Sequence, residues 1–207
     1  MAGAAWFWQL QKVQTRTRAL CLEDVEVLAV LYVQNRRFLA PWQPLRPESY
    51  FTQAGQHTAV EAVLKQQDRG AAVSLVILGG GGGVVGTLTL ASIVRGAFQS
   101  CRVGYWLAER AQGRGLATAA MQEAVDLTFG DLRLHRLQAE TLTHNQRSQR
   151  VLQRVGFEQD GMARSYLQIA GRWQDNVLYS SSRPPPKPSS RTSYRLVTEL
   201  IVVILAR

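Results

Sequence analysis

Two cysteines and three histidines are all that this chain of 207 residues offers to disulfide or soft-metal chemistry. Cys21 and Cys101 stand far apart with no partnering motif, which excludes a disulfide framework and points to buried thiols in a reducing compartment. His57, His135 and His144 do not fall at ligand spacing with one another, with a cysteine or with an acid, so no metal site is expected. Long apolar runs are missing too. The final one, Leu196–Ala206, is about half the length of a membrane helix and is interrupted by Glu199. Met1–Leu10 carries Trp6, Phe7 and Trp8 but neither a basic start nor a long apolar region. No export signal is expected there, and a cytoplasmic location is.

Acids are scarce as well: 15 Asp and Glu stand against 24 Lys and Arg, for a net charge of +9. Residues 183–207 hold Arg183, Lys187, Arg191, Arg195 and Arg207 against Glu199 alone, a contribution of +4 that leaves +5 on the remainder. A modestly positive body suits an anionic ligand, and a partner that itself carries nucleic acid. No aromatic-and-basic recognition motif occurs, so direct nucleic-acid binding is not expected, nor is a membrane partner.

What is present suits one sizeable soluble domain. The stretch Ser-Ser-Ser-Arg-Pro-Pro-Pro-Lys-Pro-Ser-Ser at 180–190 is low-complexity and unable to join a core. The expected organisation is an N-terminal extension 1–12, a domain 13–180, and a Pro/Ser-rich linker with a basic and apolar tail 181–207. Within the domain, Lys12–Arg18 reads as a strand and Cys21–Leu39 as helical, with Val25, Leu28, Ala29, Tyr32 and Val33 at core spacing. Pro41, Pro44 and Pro47 impose a loop, and Tyr50–Gln67 reads as helical again. Val73–Leu78 and Val84–Leu90 read as strands joined by five glycines, Gly79–Gly83. No helix follows those glycines, so they form a hairpin tip and not a phosphate loop.

The most informative stretch is Gln112-Gly113-Arg114-Gly115-Leu116-Ala117. It follows the strand-like run Val103–Leu107 and opens a helical pattern through Ala120, Met121, Ala124 and Val125. The first-turn N–H groups of a helix have no intrahelical partner, and the macrodipole adds positive potential there. Glycines remove the Cβ atoms that keep a phosphate off the backbone. The chain has no Gly-x-x-x-x-Gly-Lys-Ser/Thr run, and Gly113-x-Gly115 is followed by Thr118 where a dinucleotide fingerprint needs a third small residue. A third pattern, Gln/Arg-x-x-Gly-x-Gly/Ala, is met by Gln112, Gly115 and Ala117. Downstream, Leu134–Thr141 reads as a strand. Asn145 caps a short helix whose Val151, Leu152 and Val155 share a face, and Gly156 stops it before Phe157.

The loop resembles the coenzyme A pyrophosphate loop of the GNAT acetyltransferase superfamily. The run Asn145-x-x-Ser148-x-x-Val151-Leu152-x-x-x-Gly156-Phe157 resembles the second half of that family's core. Gly161–Tyr166 and Gly171–Tyr179 resemble the closing hairpin of its RimJ/RimL branch, as does Asn35–Trp42 near the front. The resemblance covers roughly residues 13–180 in family order.

It implies an α/β (α+β) GNAT fold: a mixed sheet of about six to seven strands, about four helices, and a splayed central strand pair. It implies N-acetyl transfer from acetyl-CoA, with no metal, to the N-terminal amine of a protein, ribosomal in this branch. The alternatives left open are a small-amine (antibiotic or polyamine) acetyltransferase and a non-catalytic CoA-binding module. A monomer or homodimer is expected. By the same resemblance, Tyr105, Trp106 and Leu107 line the pantetheine arm and the Leu107 N–H polarises the thioester. Gln112, Gly113, Arg114, Gly115, Leu116 and Ala117 hold the pyrophosphate, with charge from Arg110 and Arg114, and Asn145 flanks the arm. Ser148 and Tyr166 are the candidate acids and Glu140 the candidate base; each also has a plain structural role open to it. The segment Arg95–Cys101 is either a substrate-side loop or an ordinary connection.

Overall fold

The computed structural model describes residues 16–182. The expected extension 1–12 and most of the expected tail lie outside them. Seven strands form one sheet: β1 (Thr17–Ala19), β2 (Val73–Leu78), β3 (Val84–Val94), β4 (Ser100–Leu107), β5 (Arg136–Leu142), β6 (Glu158–Ile169) and β7 (Arg172–Ser182), in the order β1-β2-β3-β4-β5-β7-β6. Every pairing is antiparallel except β4 with β5. The helices are α1 (Val25–Gln34), α2 (Arg36–Leu39), α3 (Gln53–Asp68), α4 (Leu116–Phe129) and α5 (Gln146–Arg154).

Strand β2, apolar except for Ser74, is buried along nearly its whole length, as a strand covered on both faces must be. Helices α3 and α4 both pack on it. Gly79–Gly83 make the tight turn expected of them, with the Gly79 N–H donating to the Gly83 carbonyl at 2.9 Å. Helix α4 buries Leu116, Ala120, Met121, Ala124 and Leu127 against the sheet, and α5 sits beside it with Leu152 inside. Leu31, Ile77, Leu88, Leu90, Leu137 and Tyr179 belong to a single core.

The sequence-based expectations differ from the fold in a few places. The expected helix Cys21–Leu39 divides at Asn35 into α1 and α2, which raises the helix count to five. Asn35 is buried, and its amide donates to the Leu31 carbonyl at 2.8 Å while its oxygen accepts the Glu109 N–H, also at 2.8 Å. Asn35 therefore ends a helix and anchors the chain just beyond β4. Strand β3 runs on to Val94 and β4 begins at Ser100, which shortens the Arg95–Cys101 loop. The first strand covers only Thr17–Ala19 of the described residues; Lys12–Thr15 lie outside them.

The feature that positions the site is the parallel pair. Strands β4 and β5 are in register at Ser100–Arg136, Cys101–Leu137 and Arg102–Gln138, and there the pairing stops. Beyond it Val103–Leu107 stays bound to β3, and Ala139–Leu142 stays bound to β7. The sheet opens between them, the splay the family resemblance implies.

Candidate active site

An opening between parallel strands exposes backbone groups that a neighbouring strand would otherwise occupy. In the β3–β4 ladder the Ala108 N–H donates to the Val85 carbonyl at 2.8 Å, and the register runs Gly86–Leu107, Thr87–Trp106 and Leu88–Tyr105. Bonded and non-bonded residues alternate along an antiparallel pair. The amides of Tyr105 and Leu107 therefore point away from β3, into the opening. The Leu107 carbonyl accepts from the Gln112 side chain at 3.3 Å.

At the mouth, Gly113 and Gly115 adopt φ of +74° and +75°, and Gly115 is the N-cap of α4. It has no side chain to offer the helix, so the first-turn amides receive no cap. A Cβ built on either glycine meets nothing within 4 Å, so nothing packs against the turn at those two positions. Leu116 turns its side chain into the core, so it can face a ligand only through its main chain. Arg114 is exposed at the turn.

Tyr105, Trp106, Leu107, Gln112, Ala117 and Asn145 border one cavity of about 390 Å³. Ser148 borders it as well, together with Arg147 and Arg150 of α5, which bring positive charge that the sequence reading had not assigned. The Asn145 side chain caps α5 by accepting the Ser148 N–H at 3.1 Å. It therefore fills the structural role weighed for it and still lines the cavity.

A second chamber of about 210 Å³ shares Tyr105, Asn145, Ser148 and Trp42 with the first and reaches Glu140. Glu140, with its side chain 13% exposed, pairs with Arg102 at 3.4 Å from Nε to Oε1. Burial raises its carboxyl above the usual range, and the attraction of Arg102 only partly opposes this. The Tyr105 hydroxyl lies 3.4 Å from Ser148 Oγ, a long contact, and burial raises its pKa too. Tyr166 is placed differently. It sits in the β6 bulge between Ala163 and Leu167, half-buried, with the Arg102 guanidinium 5.9 Å from its ring, and it borders neither chamber. The hydroxyl that accompanies Ser148 belongs to Tyr105.

The sequence reading also missed Trp42 and His144, whose rings lie 5.4 Å apart over the first cavity. Trp42 falls within the front motif. Nothing local reveals that it meets a residue so far along the chain.

This splayed sheet with an uncapped, glycine-turned helix at its mouth has known counterparts. The acetyltransferase (GNAT) domain model matches residues 15–158, and the chain belongs to that family of acetyltransferases. It is 33% identical over 166 residues to the ribosomal protein uS5 alanine N-acetyltransferase of Escherichia coli strain K12, covering 80% of this chain and 86% of that enzyme. Among solved structures, the ribosomal-protein-S5-alanine acetyltransferase of Vibrio fischeri superposes with a TM-score of 0.77 at 31% identity, over 83% of this chain and 94% of that one. Mycobacterium smegmatis RimJ, in complex with CoA-disulfide, superposes with a TM-score of 0.77 at 28% identity, over 80% of each chain.

Proposed function

We propose that this acetyltransferase moves an acetyl group from acetyl-CoA to the N-terminal α-amine of a protein, with a ribosomal protein as the acceptor class. The observation that carries the reading is the Leu107 amide, turned into the β4–β5 opening, with Leu107 bordering the same cavity as Gln112 and Ala117 around the uncapped start of α4. The kinship with ribosomal protein alanine N-acetyltransferases supports the acceptor class. The catalytic unit in this reading spans residues 13–180, acts as a monomer or homodimer, and works in the cytoplasm beside its acceptor.

A thioester is already activated, so the protein mainly has to hold two reactants together, an effect worth roughly 7–11 kcal/mol. The amides of residues 113–117 take the pyrophosphate, with Arg114 and the α5 arginines adding charge. Tyr105, Trp106 and Asn145 line the pantetheine arm. The Leu107 N–H donates to the acetyl oxygen as negative charge gathers on it. Glu140 takes the proton from the ammonium, whose nitrogen then attacks the acetyl carbon. Ser148, next to the Tyr105 hydroxyl, returns a proton to the departing thiolate. Tyr166 keeps no part in this scheme beyond its contact with Arg102.

The test is transfer from labelled acetyl-CoA to a library of peptides with free N-termini, run beside spermidine and an aminoglycoside. Acetylated peptide N-termini support the reading. Labelled spermidine or aminoglycoside alone replaces it with small-amine transfer, and tight CoA binding without transfer replaces it with a non-catalytic module.

The pH profile tests the role of the carboxylate. As a base, Glu140 works ionised, so activity rises with pH through its folded pKa. Arg102 favours the ionised form. Arg102→Gln removes that attraction, raises the Glu140 pKa further, and moves the acidic limb of kcat/KM to higher pH. An unmoved limb means that another group carries the proton.

A further inference from the structure

Asn176, on β7, is 2% exposed, and its Oδ1 has no hydrogen-bond partner among the described residues. A buried carbonyl oxygen without a donor is destabilising, and native proteins keep few of them. Asn176 borders the 210 Å³ chamber that also holds Glu140. Asn176 thus places an unpaired acceptor in a small space that also holds a carboxylate.

The sheet register makes the relation between Asn176 and Glu140 specific. Leu142 is opposite Asn176 and Glu140 is opposite Leu178. Side chains two apart share a face, so Glu140 and Asn176 are diagonal neighbours across β5 and β7, their backbone positions about 7–8 Å apart, and both side chains border the same chamber. One small cationic head with several N–H groups donates to both where their side-chain oxygens approach within about 6 Å, the reach of two N–H···O bonds. A carbonyl or carboxylate ligand supplies no donor, and a hydroxyl supplies a single one, too few for both.

We propose that Asn176 is an acceptor-binding residue: its Oδ1 receives one N–H of the incoming α-ammonium while Glu140 takes the proton from another. This rests on the peptide-amine reading above and adds to it the residue that fixes the amine. Held by Asn176 after Glu140 has removed its proton, the nitrogen has its lone pair oriented, and its remaining freedom to rotate is reduced. The N–C bond then forms, the C–S bond breaks and the electron pair leaves on sulfur; the second proton lost by the nitrogen replaces the one that Ser148 gives to that sulfur, so that one proton ends on Glu140 and one on the thiol. Asn176 neither gains nor loses a proton.

The experiment uses the full chain with CoA bound and a hexapeptide that begins with alanine, against the same peptide N-acetylated. Calorimetric titration is expected to show binding of the free peptide to the wild type, and about tenfold or weaker binding to Asn176→Leu. The acetylated peptide is expected to bind weakly to both. Asn176→Asp keeps an acceptor oxygen and is expected to stay within threefold of the wild type. Asn176→Leu is expected to melt no lower than the wild type, because it removes an unpaired buried carbonyl, and its KM for acetyl-CoA stays unchanged. Should Asn176→Leu not fold, Asn176→Ala carries the same expectation.

Equal peptide affinity in the wild type and the folded apolar variant overturns the proposal, as does absence of free-peptide binding to the wild type, or loss in Asn176→Asp as deep as in Asn176→Leu. The two ideas fail separately. Peptide that is acetylated with no dependence on Asn176 removes this inference alone. Peptide that binds through Asn176 but is never acetylated removes the functional reading alone.

Discussion

Glu140→Gln is expected to cut turnover about a hundredfold or more at neutral pH, while the KM for acetyl-CoA stays where it was. The glutamine has nearly the same shape and keeps one acceptor oxygen, but it cannot take a proton. General-base catalysis by a positioned carboxylate contributes about 10²–10⁴-fold. The site favours this choice of base because burial raises the Glu140 pKa toward the working range, whereas exposed carboxylates titrate far below it. The chamber it borders shares Trp42, Tyr105, Asn145 and Ser148 with the cavity lined by the Leu107 strand, which in the proposed reading brings the amine beside the thioester. The substitution is also expected to leave folding intact. In the folded chain Glu140 is more easily protonated than usual, and a neutral amide avoids the desolvation of the anion. Steady-state kinetics with a free-amine peptide, beside a melting curve, decide the matter. Unchanged kcat in a folded Glu140→Gln enzyme assigns the proton transfer elsewhere.

Gly86→Ala is expected to lower the melting temperature by about 6–12 °C and to abolish most acetyl transfer at physiological temperature. Gly86 lies opposite Leu107, where β3 holds the strand that lines the opening. A Cβ built there meets the Trp106 carbonyl oxygen at 2.1 Å and both Leu107 Cα and Leu107 Cδ2 at 3.0 Å. The obstruction includes backbone, which has no rotamer to escape through, so β3 and β4 must separate. Forcing an extra carbon into a packed interior costs about 1–3 kcal/mol. At the upper end of that range, a chain of this size loses about 2–4 °C for each kcal/mol. Activity falls further than stability, because the carbonyl displaced belongs to the strand whose next amide, in the proposed reading, faces the thioester. A melting temperature within 2 °C of the wild type, measured by circular dichroism, is the contrary result.

Much of this architecture is legible locally. Strand β2 coincides with the expected Val73–Leu78, because a short apolar run interrupted only by Ser74 and bounded by a turn signal leaves little choice. Asn145 caps α5, and its apolar Val151 and Leu152 fall on the buried side. The glycine turn before α4 has the positive φ values that those residues exist to permit. What local reading misplaces has a distant cause. The break at Asn35 exists because its side chain serves the amide of Glu109, 74 residues later. Tyr166 belongs to a bulge whose position depends on how β6 meets β7, and no periodicity in its own strand reports that. The Tyr105 hydroxyl, expected only as lining, meets Ser148 because β4 and α5 approach across the opening.

The order of residues alone determined most helices and strands of the core and the glycine turn from Gln112 to Ala117, and its motifs carried the family resemblance that implied the kind of fold. These depend on caps, glycines and apolar spacing, which act over a few residues. Only the tertiary structure decided how far the parallel pair opens, that Arg102 restrains Glu140, and that Asn176 shares a face with Glu140. Strand register sets these relations, and register comes from packing many side chains at once, so residues distant along the chain meet at positions that no local pattern encodes.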